Sequence, residues 1–462
     1  HYGIRKDKKT MKSAIFFLFV MLSFMALNFG VVGAGDRITF WTTEVERDRL
    51  GIQQEIAGEF TKETGIRVRV IPVDENFLAA RVTAAYAARS LPDVLYHPID
   101  FTIGWLREGI LDEQSSSRVV DELGKKTFSP GPLNLVRENG GYAAVPLDAW
   151  GQLLLFRKDL FHEKGLPAPD TWDRILKAAK ALNNPPSIWG FEVATDPGQT
   201  YTQQVFEHLA LSNGVSLTGS AKGPEGEINL NTSEMVETLR FYKALSLFTP
   251  PGNISWLHTR MDYLSGRAAM IIWSPFILDE LSGLRKDQPV LPDIKKNTPG
   301  FLAGNTGLVT VIHGPNGSAQ YGQINCLGIT RDAVVQPAKE WVKFLLGKGY
   351  LRWLGMAPEG KLPVRKGTRE APRCFIDGWL DLDFGVDTRA RISRFYGTDV
   401  AEAMTQGVDG LARWGFAEGR GALISKIYGT KMIPEILKRF LDRELSAEEA
   451  ARLIDDRVKT LQ

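Results

Sequence analysis

Apolar and polar residues follow two different periods along the first part of the chain. Short apolar runs predict strands over residues 37–41, 66–73 and 94–96. Between them, apolar residues spaced three or four positions apart predict helices over residues 50–60 and 76–89. The resulting order of strand, helix, strand, helix and strand predicts an α/β fold with a parallel sheet and right-handed crossovers.

A second α/β block begins near residue 141. Its predicted elements are a strand over residues 153–156, a helix capped by Asp170 or Thr171, a helix over 231–247, a strand over 268–273, and a strand over 322–329 followed by a helix to residue 345. Residues 433–461 are predicted to be helical, with a capping box at residues 446–449. The chain therefore has two unequal α/β blocks and late returning segments.

Polar or aromatic loops follow each strand of the first block. They comprise residues 41–44, 73–75 and 97–100. In an open parallel sheet, ligands bind beyond the carboxyl ends of the strands. We therefore expect these three loops to converge on a binding site.

The N-terminal 34 residues have the features of upstream sequence followed by a secretory signal peptide. A basic start at Lys12 precedes an apolar stretch over residues 14–32, and small residues end it at Ala34. We predict cleavage after Ala34 and a periplasmic location; an uncleaved membrane anchor is the alternative. Residues 1–10 precede the predicted initiator, Met11.

Composition narrows the function classes. The 462 residues are 44% hydrophobic and 24% charged, as in a soluble globular protein, and their number predicts two domains or lobes. Residues 1–34 hold five basic residues and one acid, so the rest carries 51 basic and 53 acidic residues. This near-neutral balance argues against a nucleic-acid partner. The only cysteines, Cys326 and Cys374, exclude a disulfide-rich scaffold, and whether they pair stays open.

The sequence contains no complete catalytic or cofactor-binding motif among those considered. Residues 355–361 match the phosphate-loop pattern G-x4-G-K, but Leu362 replaces the required Ser or Thr. The six histidines are scattered without ligand-like spacing, so we predict no metal and no cofactor. An exported glycoside hydrolase is the enzyme alternative, because it also needs acids and aromatics. A barrel hydrolase would show eight strand–helix units, which the two unequal blocks do not resemble.

Several segments, taken in order, resemble the extracellular solute-binding proteins of ABC importers. The most specific match, over residues 140–182, reads GGYAAVPLDAWGQLLLFRKDLFHEKGLPAPDTWDRILKAAKAL. Further matches read ITFWTTEVERDRLGIQQEIAGEFTKETGIRVRV, LPDVLYHPIDFTIGWLREGILDE, SGRAAMIIWSPF, GQINCLGIT, AKEWVKFLL and GKLPVRKG. The resemblance is to the sugar-binding branch (family 1), which includes the maltose- and oligosaccharide-binding proteins.

This resemblance implies a two-lobe, Venus-flytrap architecture with discontinuous lobes and a multi-stranded hinge. The implied segments are 35–146 (first lobe), 147–320 (second lobe), 321–361 (first-lobe return) and 362–462 (second-lobe return). It implies a non-enzymatic monomer that captures a mono- to oligosaccharide or a glycosylated polyol. The partner would be a permease with a cytoplasmic ATPase. A non-sugar solute such as a glycerophosphodiester is an alternative ligand, and a scaffold or sensor partner of the same fold is an alternative role.

The candidate site residues combine the two chemistries that a sugar needs. Its hydroxyls pair with acids, amides and arginines, and its C–H face stacks on an aromatic plane. The candidates are Trp41, Glu44, Glu46, Asp100, Asp148, Trp150, Trp273, Phe276, Asn325, Arg365 and Trp414. For Trp41 the alternative is packing beneath a helix. Trp150 stands where the maltose binders tend to carry an acid, which leaves the identity of the sugar open.

Overall fold

The computed structural model describes residues 37–218, 226–286, 299–416 and 418–462. The predicted signal peptide lies outside these residues. Two antiparallel or mixed sheets, each covered by helices, form the cores of two lobes. Among the described residues, no helix is long and apolar enough to cross a membrane.

The first lobe contains the predicted parallel sheet. Its N-terminal elements are β1 (Arg37–Thr42), α1 (Arg47–Thr64), β2 (Arg67–Pro72), α2 (Glu75–Ala87), β3 (Val94–Pro98), α3 (Ile99–Arg107), α4 (Glu113–Leu123), α5 (Pro130–Leu135), β4 (Arg137–Glu138), β5 (Gly141–Tyr142) and β6 (Val145–Gly151). Strand β1 pairs in parallel with both β2 and β3. The predicted order of alternating strands and helices is confirmed. Every residue of β3 is buried.

The second lobe is built on a smaller antiparallel sheet. Its elements are β7 (Leu153–Arg157), α6 (Lys158–Glu163), α7 (Trp172–Leu182), α8 (Thr200–Ser212), α9 (Ser233–Ser246), α10 (Trp256–Leu264), β8 (Met270–Trp273), α11 (Ile277–Leu281), α12 (Pro299–Asn305), β9 (Thr306–Val309) and β10 (Ile312–His313). The strand order is β8-β7-β9. Of the two predicted caps, Thr171 is the residue whose side chain accepts a hydrogen bond from the Arg174 amide.

One long strand, β11 (Ser318–Ile329), runs from the second lobe into the first. It begins beside β10 and then pairs with β6 and β3. Strand β6 stays paired with β11 as far as Gly151, and β7 begins at Leu153. The chain therefore changes sheet at Gln152, whose amide donates to the Tyr321 carbonyl at 2.8 Å. The predicted segment boundary at 146/147 falls inside β6.

The C-terminal part completes both lobes. Its elements are α13 (Val335–Leu345), α14 (Tyr350–Leu354), β12 (Leu362–Pro363), α15 (Cys374–Leu380), β13 (Asp383–Phe384), β14 (Ala390–Arg391), α16 (Ser393–Tyr396), α17 (Thr398–Gly407), β15 (Leu411–Ala412), α18 (Gly421–Thr430), α19 (Met432–Leu441) and α20 (Ala447–Lys459), with short 3-10 helices at Lys125–Thr127, Pro358–Gly360 and Val408–Gly410. Helices α19 and α20 pack near α9 of the second lobe, whereas α18 packs on α3 of the first. Residues 362–462 are thus divided between the lobes.

Local signals fix several of these elements. The predicted capping box is confirmed, since Ser446 and Glu449 exchange hydrogen bonds at the start of α20. Helix α1 ends at Gly65, whose left-handed backbone (φ +78°) lets its amide bond back to Thr61. Cys326 is buried in β11 and Cys374 begins α15, and both are free thiols. The question of their pairing is thereby answered: no disulfide joins them.

Candidate ligand-binding site

Two adjoining cavities lie where the lobes face each other. We call the first, of about 310 Å³, the charged cavity; its walls include Glu44, Arg49, Glu75, Asn325 and Lys361 of the first lobe and Phe276 of the second. We call the second, of about 420 Å³, the aromatic cavity; its walls include Tyr201, Trp256, Trp273 and Lys431. Trp150 and Gln204 line both cavities. The two cavities therefore form one continuous cleft of the size that small-molecule ligands occupy.

The loops beyond β1 and β2 bring acids to the charged cavity. Glu44 follows β1 and Glu75 begins α2 directly after β2. Because β1 and β2 run in parallel, their carboxyl ends lie at the same edge of the sheet. The structure thus places one predicted candidate, Glu44, and its neighbour Glu75 on the same cavity wall.

A buried lysine organises this wall. Lys361 forms an ion pair with Glu44 and lies 2.9 Å from the Tyr96 hydroxyl. Its Nζ is also 3.5 Å from the Asp148 carboxylate. On the other side, Arg49 binds Glu44 at 2.9 Å. Burial raises the pKa of Glu44, but the charges of Lys361 and Arg49 outweigh burial and hold the pKa at about 2.

Asp148 supports the floor of the charged cavity from below. Its carboxylate accepts hydrogen bonds from the Tyr96 hydroxyl at 2.9 Å and from the Trp353 indole at 2.7 Å. It also accepts a bond from the Asn325 amide at 2.8 Å, and Asn325 lines the cavity. Asp148 is fully buried. The structure places it beneath the cleft surface, where it fixes the orientations of Asn325 and Lys361.

Asp100 takes part in a second buried network, at the hinge. It accepts hydrogen bonds from Gln323 at 2.5 Å and from Arg413 at 2.6 Å. Arg413 is buried and also binds Glu207 of the second-lobe helix α8 at 3.1 Å. One guanidinium therefore links the two lobes, and Asp100 serves that link rather than either cavity wall.

The aromatic cavity combines ring faces with polar side chains, which include Gln152, Gln199 and Thr200. Trp273 meets Tyr201 edge-on at 4.9 Å and stacks with Trp256 at 6.2 Å between ring centroids. Trp150 stands between the two cavities, 6.5 Å from Tyr321. Two predicted candidates, Trp150 and Trp273, thus lie on one wall. A third, Phe276, lies in the charged cavity with the Arg49 guanidinium 5.8 Å from its ring.

Besides Asp100 and Asp148, four further predicted candidates lie outside both cavities. Trp41 is buried in β1 with the Arg81 guanidinium 4.7 Å from its ring, which agrees with the packing alternative. Glu46 is a half-exposed partner of Arg49. The Arg365 guanidinium donates to the Leu346 carbonyl at 2.6 Å, and the Trp414 indole donates to the Val215 carbonyl at 2.8 Å. These last two side chains use their donors within the fold.

Sequence reasoning missed Lys361, Arg413 and Trp256, and it placed Glu75 in a converging loop without choosing it as a candidate. Lys361 ended a spurious phosphate-loop match, and Arg413 directly precedes a chosen tryptophan. Trp256 gave a signal that could have been used, because it begins α10 after the cap Ser255 and keeps 42% of its surface exposed. Among the described residues, no group of three or more His, Cys, Asp or Glu side chains could hold a metal ion.

Comparisons with known proteins identify the class of the chain. A family model described as bacterial extracellular solute-binding protein matches residues 45–351, which is more than half of the sequence. The YcjN protein of Escherichia coli (strain K12), whose name assigns it provisionally to the ABC transporter periplasmic-binding proteins, is 29% identical over 337 residues. That alignment covers 71% of this chain and 73% of the relative.

Solved structures show the same fold. Maltose-bound MalE3 of T. maritima superposes with a TM-score of 0.68 at 21% identity, covering 92% of this chain and 100% of that one. An ABC transporter solute-binding protein of Agrobacterium radiobacter K84 in complex with ribitol gives a TM-score of 0.63 at 19% identity, covering 93% and 99%. The predicted two-lobe α/β fold is therefore confirmed.

Proposed function

We propose, on the premise that this chain belongs to the bacterial extracellular solute-binding proteins, that it captures a carbohydrate or polyol in the interlobe cleft. The observation that carries the proposal is the joining of two surfaces in one cleft. Trp150, Trp256 and Trp273 offer ring faces, and the adjoining charged cavity offers amide and carboxylate groups. A sugar has both complementary surfaces, an apolar C–H face and a set of hydroxyls.

In such a site we expect the aromatic wall to contribute most of the binding free energy. Apolar surface removed from water contributes about 25 cal/mol per Å², so one stacked ring face contributes on the order of 1–2 kcal/mol. The polar side chains then select orientation, because each unpaired hydroxyl in the closed cleft would cost part of that gain. Gln204 and Asn325 can both donate and accept, which suits hydroxyl groups.

Delivery to a membrane partner completes the proposal. The protein would act as an exported monomer that closes on its ligand and hands it to an ABC permease with a cytoplasmic ATPase. Two features support closure about a hinge: strand β11 runs through both lobes, and the chain crosses between the lobes at Gln152, which lines the aromatic cavity. No chemical step and no cofactor enter this function.

One observation keeps a glycoside hydrolase as the second candidate. Glu44 and Glu75 share a cavity wall, and their pKa values lie far apart, at about 2 and about 7. Such a split suits an acid and a base. However, both oxygens of Glu44 are engaged by Lys361 and Arg49, which leaves it poorly placed to attack or to activate water.

Thermal melting against a panel of sugars, polyols and glycerophosphodiesters tests the proposal. A ligand that binds only the folded chain adds about 2.7 kcal/mol at a hundredfold excess over Kd. We expect a selective rise in Tm with a sugar or polyol that is recovered intact. Hydrolysis of the ligand at a rate proportional to the protein concentration would favour the hydrolase. A shift with the phosphodiesters alone would contradict carbohydrate capture.

A further inference from the structure

The charged cavity has more carboxylates around it than cations. Lys361 is shared by Glu44 and Asp148, and Arg49 is shared by Glu44 and Glu46. At the hinge, Arg413 is shared by Asp100 and Glu207. Every base in these networks therefore already serves two acids.

Glu75 stands apart from these networks. It lines the charged cavity, yet its carboxylate has neither a hydrogen bond nor an ion pair among the described residues. Its side chain is exposed to the cleft at the start of α2. The other acids near this wall, Glu44 and Asp100, have side-chain partners within the fold. Glu75 is thus free to interact with a ligand.

The surroundings of Glu75 are electronegative. Desolvation in the cleft, followed by the charges of Asp100, Glu44 and Asp74, raises the pKa of Glu75 to about 7, and Lys361 opposes the rise only weakly. Because the side chain keeps contact with solvent, part of this repulsion is screened. From the second lobe, the side chains facing this cavity are Gln204 and Phe276, which carry no charge. A cation bound here would relieve the repulsion between these carboxylates. A neutral hydroxyl in the same place would not.

We infer that Glu75 is a specificity-determining residue that recognises a protonated amine, so that the favoured ligands are amino sugars or aminated polyols. The inference rests on the proposed function and refines its ligand class. A charge-assisted hydrogen bond from an ammonium to a carboxylate is about twice as strong as one between neutral groups. The amine would occupy the charged cavity, and the remainder of the sugar would extend past Trp150 toward the aromatic wall.

Calorimetry with matched ligand pairs tests the inference at pH 7. Each pair differs only by an amine in place of one hydroxyl: glucose and glucosamine, galactose and galactosamine, mannose and mannosamine, and glucitol and glucamine. We expect the amine member of the bound pair to have a Kd about tenfold lower. The variant Glu75→Gln should reduce this preference to about onefold, so that both members of the pair bind with nearly equal Kd. Glu75→Asp should retain part of the preference.

The control variant is Glu402→Gln, which removes one exposed carboxylate from α17 far along the chain and should keep the full preference. Hydroxyl members that bind as tightly as the amines would overturn the inference while leaving carbohydrate capture intact. A Glu75→Gln variant that keeps the preference for the amine would also overturn the inference and leave carbohydrate capture intact. If no member of any pair binds, carbohydrate capture itself fails, and the inference fails with it.

Discussion

The two cavities of the cleft are built in opposite ways. In the charged cavity, most ionised side chains bind one another, as Lys361 does with Glu44 and Asp148. In the aromatic cavity, Trp256 and Trp273 stack on each other and leave ring surface facing the opening. In this cleft the ionised side chains of the charged cavity are therefore largely engaged with one another, whereas the ring faces and uncharged polar groups of the aromatic cavity remain available to a ligand.

The largest expected effect comes from removing Lys361, the cation that Glu44 and Asp148 share beside the charged cavity. Lys361→Met leaves Glu44 and Asp148 without their shared cation in a buried site. Removing one partner of a buried ion pair typically costs 3–5 kcal/mol, so we expect a loss of about 3–5 kcal/mol in the free energy of unfolding. Urea denaturation at pH 7 measures it.

The matched control is Lys348→Met, which breaks an exposed pair with Glu63 and should cost about 0–1 kcal/mol. If both variants lost the same free energy of unfolding, the buried ion pair of Lys361 would not stabilise the fold more than an exposed pair does.

The next largest effect is the pH dependence of the stability that ionised Glu44 contributes. The pKa of Glu44 is lowered in the folded state, so its contribution is present above its ordinary value of 4.5 and is lost as pH falls toward about 2. We expect the stability advantage of the native chain over Glu44→Gln to be about 3 kcal/mol near pH 6 and to shrink below pH 4.5. Denaturant unfolding of both proteins across this range measures it; an advantage that stayed constant would contradict the ion-pair account.

A smaller effect is expected on the aromatic wall, and there it should fall on binding. Trp256→Ala removes a partly exposed ring, so we expect affinity for the ligand found by melting to fall about tenfold, or about 1.4 kcal/mol. Stability should change by less than about 1 kcal/mol, because the side chain is 42% exposed. Calorimetric titration gives the affinity, and Trp256→Phe should retain most of it. Unchanged affinity in the alanine variant would remove Trp256 from the site.

The smallest expected effect concerns Glu75 in the free protein. Its raised pKa means that folding favours the protonated form, so ionisation destabilises the fold as pH rises from 4.5 through about 7. Glu75→Gln should therefore raise the free energy of unfolding at pH 8 by less than about 1 kcal/mol, because solvent screens the exposed group, and so raise Tm slightly. At pH 4 it should leave Tm unchanged. Melting scans at both pH values measure it. An equal shift at both would mean that the change is not electrostatic.

Local signals made much of the fold predictable. The period of the apolar residues located the strands and helices of the first lobe, and the caps at Thr171 and Ser446 lie where hydrogen-bonding residues precede apolar runs. These features depend on near neighbours in the chain, so no knowledge of distant contacts was needed. The pairing of β6 with β11 as far as Gly151 was less accessible, because it joins segments that lie far apart in the chain.

The candidate site was only partly predictable, for a different reason. Trp150, Trp273 and Phe276 were chosen from sequence and lie on the cleft walls, whereas Trp414 and Arg365 were chosen on similar grounds and point into the fold. An aromatic or charged residue in a loop has the same composition signal whether its partner is a ligand or a backbone carbonyl. Only the position of that carbonyl separates the two cases.

By itself, then, the sequence determined the α/β class, the two lobes and the kinds of side chain available for binding, because these follow from periodicity and composition. The tertiary structure alone decided which charges are engaged and which are free. Lys361 meets Glu44 across 317 residues of chain, and Arg413 meets Asp100 across 313. Such partners are chosen by folding geometry and by the cost of leaving a buried charge unpaired, neither of which leaves a local pattern in the sequence.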